Sequence, residues 1–299
     1  MRPCIRSNAH GSVGPMDHQT RTSAAMAVVR ARSQPGSPVS RDMRICVHFH
    51  PDHRSADGRT ALESILDSHR YLSQFVTGSS NGGLTAHPGG DRWRWESELF
   101  DGAYDDAPPV DRPVYGALAV DDDHYGPSPR FGSCYMRLRR SVVDRTTFAY
   151  PDSALQPVAF GVAERMGLAP LLRHAPMRDP LDRYIEAHVH GGVTVPGDVE
   201  ALVIDPAYRD TIGVTSAVTR GILVEHHGGY ALDVETLTEQ VEYRGPEIAE
   251  AAGRLGVDGP VTPPDLARAR RSGTVDPQML KLLWHCLARY GRIDGPPIA

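Results

Sequence analysis

Ten residues, Tyr184 to Val193 (YIEAHVHGGV), restrict the fold more than any other stretch of this chain. Side chains alternate strictly in a strand, so Tyr184, Glu186, His188 and His190 share one face and Ile185, Ala187 and Val189 the other. The apolar face predicts a strand lying on a core. The other face carries an acid, two imidazoles and a phenol, and Gly191-Gly192 end the regular run. A second stretch, Arg44 to His50 (RICVHFH), has the same design, with Arg44, Cys46, His48 and His50 opposite Ile45, Val47 and Phe49. Two such strands predict a polar cleft over a sheet, with both lining one site.

The chain of 299 residues can bury a substantial core. Its 29 Gly and 25 Pro predict many turns and long loops rather than a helical bundle. A net charge of −5 without a basic block argues against nucleic-acid binding. No window approaches the ~20 apolar residues of a membrane span, and the patch AAMAVV at 24–29 is too short for a signal peptide. The expected location is therefore the cytoplasm, or another cell reached without such a peptide. Cys4, Cys46, Cys134 and Cys286 show no CxxC spacing and read as buried free thiols.

Residues 1–42 are rich in Ser, Arg, Pro and Gly and read as an unstructured arm. A mixed domain is expected over 43–245: a strand at 44–50, a helix beginning near Thr60, the Gly/Ser loop 77–90, a short aromatic-rich helix, and strands at 115–120, 131–139, 146–150, 184–190 and within DVEALVI. Residues 153–183 read as two short helices around a Pro-rich joint. The segment 246–299 reads as a helical extension punctuated by Gly and Pro. Strands and helices lack a regular βαβ beat, so the predicted class is α+β. No GxGxxG or P-loop is present.

Several groups could carry chemistry. His48, His50, Asp52 and His53 have the HxHxDH spacing of metallo-β-lactamase zinc sites, which makes a zinc hydrolase one alternative reading, a non-catalytic binding module being the other. Glu186 could serve as base, nucleophile or electrostatic stabiliser. Backbone N–H groups in the loop of Ser79, Gly82 and Gly83 could cradle an anion, with Arg92 beside them to pair a phosphate. Arg130 and Ser133 could position a polar ligand. His226-His227 reads as surface, and Trp93/Trp95 as packing.

Taken together, HFHPD, YLSQFVTGSSNGGLTAHPGGDR, RPVYGAL, SPRFGSCYMRLR, DRTTFAYPDS and YIEAHVHGGV resemble an uncharacterised bacterial family described as a domain of unknown function, over about 44–210. Its members usually carry Arg where this chain has His53. More faintly, GSCYMRLR, DRTTFAYPDS, the acid of YIEAHVHGGV and the strand after it are similar to the C-terminal half of ADP-ribosyltransferase toxin domains. That likeness implies a split core of two small sheets with NAD in the cleft between them. It implies a first-strand His or Arg holding the ADP-ribose part, a Ser- or Tyr-bearing element on the nicotinamide ribose, and a late Glu. Carried onto this sequence, Glu186 is catalytic and His50 or His48 fills the first-strand role, with Arg44 a further candidate. Arg130 and Ser133 lie on the middle strand, Tyr184 stands two residues before the acid, and the Ser79–Gly83 loop and Arg92 approach the phosphates. Arginine-modifying members place Glu or Gln where Tyr184 stands, so the acceptor is left open: a protein, or water in simple NAD hydrolysis. The implied role is that of a toxin or effector; the alternative binding module would stand on a degenerate transferase fold.

Overall fold

The computed structural model describes residues 16–55, 57–78, 84–174, 179–256 and 259–298. In chain order these form α1 His18–Arg32, β1 Arg44–Phe49, α2 Ala61–Ser68, β2 Arg70–Tyr71, α3 Gln74–Thr77, α4 Asp91–Leu99, β3 Val114–Ala119, β4 Cys134–Leu138, β5 Thr146–Tyr150 and β6 Ala159–Val162. There follow α5 Ala169–His174, β7 Ile185–Val189, β8 Val193–Thr194, β9 Val199–Ile204, α6 Ile212–Thr219, β10 Val224–His226, α7 Val234–Glu239, α8 Val241–Arg244, α9 Pro246–Leu255, α10 Pro263–Ser272 and α11 Pro277–Tyr290. The class is mixed α and β, with a large mixed sheet and helices at the C-terminus.

Eight strands form one sheet in the order β10-β9-β4-β1-β3-β7-β5-β6, and β2 pairs with β8 in a small ribbon. The β10–β9 pair is parallel and the other pairs of the large sheet are antiparallel. This replaces the expected pair of small sheets. The physical reason lies in β1, which pairs with β3 through Arg44, Ile45 and Cys46 and with β4 through Cys46 to Phe49. One strand thus ties the halves together at its start, while its last residues pair only with β4. The opening between the end of β1 and β3 is where the site forms.

One sheet face packs Ile45, Val47, Leu118, Ile185 and Leu202 against Leu62 and Leu66 of α2 and Val214 and Ala217 of α6. Helix α2 starts where its sequence dictates: the Thr60 side chain accepts from the Glu63 N–H while Glu63 reaches back to the Thr60 N–H, a reciprocal cap. The opposite face, over β5 and β6, is covered by α1 and α4. Ala25, Met26 and Val29 pack with Leu99, Phe100, Phe160 and Val162. The expected unstructured arm is thereby corrected for residues 18–32, which form a helix capped by Asp17. Full burial of an aliphatic side chain contributes about 1.5–3 kcal/mol, so Met26 and Val29 contribute to holding this helix on the sheet. Arg21 is also buried, reaching the Ala103 carbonyl at 3.0 Å. Strand β6 is a second difference, since the sequence of 153–183 reads as a mixed stretch of two short helices and a Pro-rich joint, with no strand. Gly191 and Gly192, at φ 84° and 69°, make the turn that brings β8 back to β2, a conformation glycine adopts without steric cost.

The helices from α7 onward enclose their own core around Leu232, Ile248, Leu280, Leu283 and Trp284. Trp284 also donates to the Pro129 and Arg130 carbonyls, both at 3.0 Å, which fastens α11 to the sheet domain. Among the described residues no helix is long and apolar enough to cross a membrane.

Candidate functional site

Beyond the Cys46↔Ala117 pair, the end of β1 and the start of β3 border a cavity of about 550 Å³. His48 and His50 line it from β1 and the turn after it, Tyr115 from β3, and Tyr184 and Glu186 from the start of β7. Arg92 of α4 and Ser153, in the turn after β5, complete the inner wall. Arg54 and Arg270 stand on its outer side, Arg270 coming from the C-terminal helices. The volume falls within the ~300–1,000 Å³ usual for small-molecule sites.

Glu186 is buried at 5 % exposure, and each of its oxygens accepts a hydrogen bond. Ser153 donates its hydroxyl at 2.9 Å and its backbone N–H at 3.3 Å, and His188 donates Nε2–H at 3.0 Å. Burial alone would raise the carboxyl, but the His188 hydrogen bond, the nearby Arg92 charge and Ser153 outweigh it and hold Glu186 below its ordinary range. Burial keeps the His188 imidazole below its usual value, hence neutral near pH 7. The contact is therefore a neutral donor on a carboxylate. Arg92 donates to the Ser153 hydroxyl at 2.5 Å and lies 4.1 Å over the Tyr115 ring. Ser153 thus bridges a buried cation to a buried anion. Next to it, Arg112 and Glu96 form a buried ion pair at 2.6 Å, and Tyr115 donates to Glu96 at 2.9 Å.

The two first-strand histidines differ. His48 donates from Nδ1 to the Gly132 carbonyl at 3.1 Å and accepts the Ser128 N–H on Nε2 at 3.4 Å, and burial pushes its pKa down to about 3. His50 has ring contacts only among the described residues: stacking on His53 at 4.5 Å and an edge contact with Trp284 at 4.7 Å. Of the two, His50 has the ring edge available to a ligand.

Other predicted residues fall elsewhere. Arg44 sits at the far end of β1, paired with Glu200 at 2.6 Å, and does not line the cavity. Arg130 lies in a 3-10 turn, Pro129–Phe131, and is paired with Asp179 and Asp182. The Ser133 hydroxyl faces the Cys134 sulfur at 3.8 Å, also away from the cavity. Both were expected on the middle strand. That strand is β3, because β4 pairs on the other side of β1. The residues Ser79, Gly82 and Gly83 lie outside the described residues. His48, His50, Asp52 and His53 do not converge: His48 has both ring nitrogens on backbone groups, and Asp52 accepts from the Tyr208 hydroxyl at 2.8 Å. Among the described residues no group of three or more His, Cys, Asp or Glu is placed to hold a metal. His227, expected at the surface, is buried and donates to the Ser133 carbonyl at 2.7 Å. Trp95 does pack, edge-on to His188 at 5.1 Å.

Sequence reading missed Tyr115 and Ser153 as site residues. Tyr115 lay in a stretch read only as a buried strand. Its signal was modest: a phenol opening an otherwise small and apolar run, YGALA. Ser153 carried no signal apart from its place in the AYPDS motif.

The model of a family described as a protein of unknown function, DUF3626, matches residues 44–174 and 168–290. No curated protein matches the chain. The match begins at the first residue of β1 and ends at the last of α11, so it takes in every strand of the large sheet and the C-terminal helices. The chain belongs to the DUF3626 family of proteins of unknown function.

Proposed function

We propose that the cavity binds NAD and that the protein releases nicotinamide, passing ADP-ribose to an acceptor or to water. The observation that carries this reading is the placement of three residue types on, or just past the end of, three neighbouring strands. His50 follows β1, Tyr115 is on β3 and Glu186 is on β7, and all three line one cavity. The resemblance to ADP-ribosyltransferases implies the same three roles. The divergence of β1 from β3 supplies a cleft, although the sheet is continuous at its other end.

Release breaks the bond between the ribose anomeric carbon and the pyridinium nitrogen. The electron pair leaves on neutral nicotinamide, and positive charge develops on the ribose. An ionised Glu186 beside that ribose stabilises the charge and accepts from the 2′-hydroxyl, an interaction stronger in the transition state than in the ground state. On this reading Tyr115 offers a ring for the nicotinamide end, and His50 holds the ADP-ribose part. Arg92 balances the Glu186 charge through Ser153 without neutralising it by direct contact. A nucleophile then takes the anomeric carbon.

The test is nicotinamide release from NAD by the purified protein, read by mass spectrometry beside Glu186→Gln. Loss of one preorganised electrostatic group costs about 10²–10³ in rate, and a fall of that size is expected. No release by the native protein with any acceptor preparation, or equal release by the variant, would overturn the reading.

A further inference from the structure

Below Glu186, β7 carries polar groups that do not reach the cavity. His188 accepts on Nδ1 from the Thr147 hydroxyl at 3.0 Å. The Thr147 oxygen lies 3.1 Å from His190 Nε2, and His190 Nδ1 lies 2.8 Å from the Tyr104 hydroxyl. His188, His190 and Thr147 are completely buried and Tyr104 is 1 % exposed. Phe100 packs edge-on against both imidazoles, at 5.8 and 5.2 Å.

With Glu186 ionised and His188 neutral, proton placement in this chain follows from the contacts. Against an ionised Glu186, His188 must present Nε2–H, because a lone pair there would face a carboxylate. Neutral His188 then has a bare Nδ1, so Thr147 must donate to it. The Thr147 oxygen is left to accept from His190 Nε2–H, and His190 Nδ1 must accept from Tyr104 O–H. Every donor points toward Glu186, and each bond polarises the next in the same sense. A chain of buried polar groups costs folding free energy unless every member is satisfied, and here every one is.

We propose that Tyr104, His190, Thr147 and His188 form a one-directional hydrogen-bond relay that fixes the position and ionisation of the Glu186 carboxylate, with His188 as its terminal positioning residue. The inference rests on the proposed role of Glu186. Other charged or titratable groups near Glu186 are Arg92 from α4, Asp152 from the turn after β5, Tyr115 from β3 and Tyr184 ahead of β7. Removing the His188 donor leaves those groups in place.

The experiment compares His188→Leu with His188→Gln, whose amide can still donate to Glu186. Two quantities are read: the pH profile of nicotinamide release, and the titration of the Glu186 carboxyl by carbon NMR, assigned with Glu186→Gln. The Leu variant is expected to lose about 10²-fold in kcat, the cost of a misplaced reacting group, with KM for NAD nearly unchanged. Its Glu186 carboxyl, and the acid limb of its rate profile, should move up by about one pH unit or more. The Gln variant should recover most of both. Thr147→Val, which breaks the chain one link further out, should give a smaller shift in the same direction and serves where the Leu variant fails to fold. An unchanged acid limb and carboxyl titration in these variants would overturn the relay. If the native protein releases no nicotinamide, the NAD reading fails, and the carboxyl titration alone still decides the relay.

Discussion

Replacing His48 by Asn should make the protein less stable at neutral pH and less sensitive to acid, and the size of the second effect follows from geometry. His48 donates from Nδ1 to Gly132 and accepts Ser128 N–H on Nε2, so a second proton on the ring would set two donors against each other. Burial holds its pKa to about 3, against about 6.5 in the unfolded chain. The unfolded state therefore binds the extra proton as pH falls through 6.5, while the folded state does not until about 3. His48 withdraws stability on acidification, at about 1.4 kcal/mol per pH unit. Between pH 6.5 and 5 that is about 2 kcal/mol, a large share of the ~5–15 kcal/mol that holds a typical domain. At pH 7 the Asn variant loses the acceptor for Ser128 N–H, which costs about 1–3 kcal/mol. The gap between the native protein and the variant should then narrow by about 2 kcal/mol at pH 5. Urea unfolding followed by tryptophan fluorescence at pH 7, 6 and 5 measures the gap, and contributions from other titrating groups cancel in the difference. A gap that stays constant with pH would refute the assignment of His48 as a buried neutral ring with both nitrogens committed.

Other perturbations test other parts of the account. Arg112→Met strands the Glu96 carboxylate in the interior and should lower unfolding stability by about 3–5 kcal/mol, read by denaturant titration. Ser153→Ala removes the hydroxyl between Arg92 and Glu186. It should slow nicotinamide release by about 10- to 100-fold, the worth of one or two charge-assisted hydrogen bonds, and lower stability by about 1–3 kcal/mol, because buried Arg92 and Glu186 each lose a partner. Gly132→Ala places a Cβ 2.2 Å from the Phe49 carbonyl carbon. The end of β1 must then shift and carry His50 with it, so stability and NAD turnover should fall together. Val29→Asp buries an unpaired charge between α1 and the sheet and should release α1, seen as new proteolytic cleavage ahead of residue 44.

Much of the site could be read from sequence because its residues lie at the ends of alternating strands. The period of two in RICVHFH and YIEAHVHGGV placed His48 and Glu186 on strands, with His50 just past the end of β1, and the structure brings all three to one cavity. Strand order is a different kind of information. Which strand lies between β1 and β7 depends on pairing across the whole chain, so Ser133 and Arg130 were assigned to a position that Tyr115 occupies. Alternation also says which residues share a face, not what covers it. His188 and His190 looked like cleft residues because nothing in YIEAHVHGGV shows that α4 and the residues just after it roof them. Helix α1 was hidden by composition. HQTRTSAAMAVVRAR lies in an arm rich in Ser, Arg, Pro and Gly, and its apolar stripe is the short one of Ala25, Met26 and Val29. The HxHxDH spacing was present, but the histidines and aspartate turn to different partners once the backbone after β1 is folded.

The most direct measurement of the central claim is the structure of the Glu186→Gln variant with NAD bound. The account predicts NAD in the cavity between β1 and β3, with the nicotinamide ribose 2′-hydroxyl within hydrogen-bond distance of residue 186, the nicotinamide on Tyr115, and the ADP-ribose part against His50. NAD bound elsewhere on the protein, or in this cavity with its adenine end at residue 186, would contradict it.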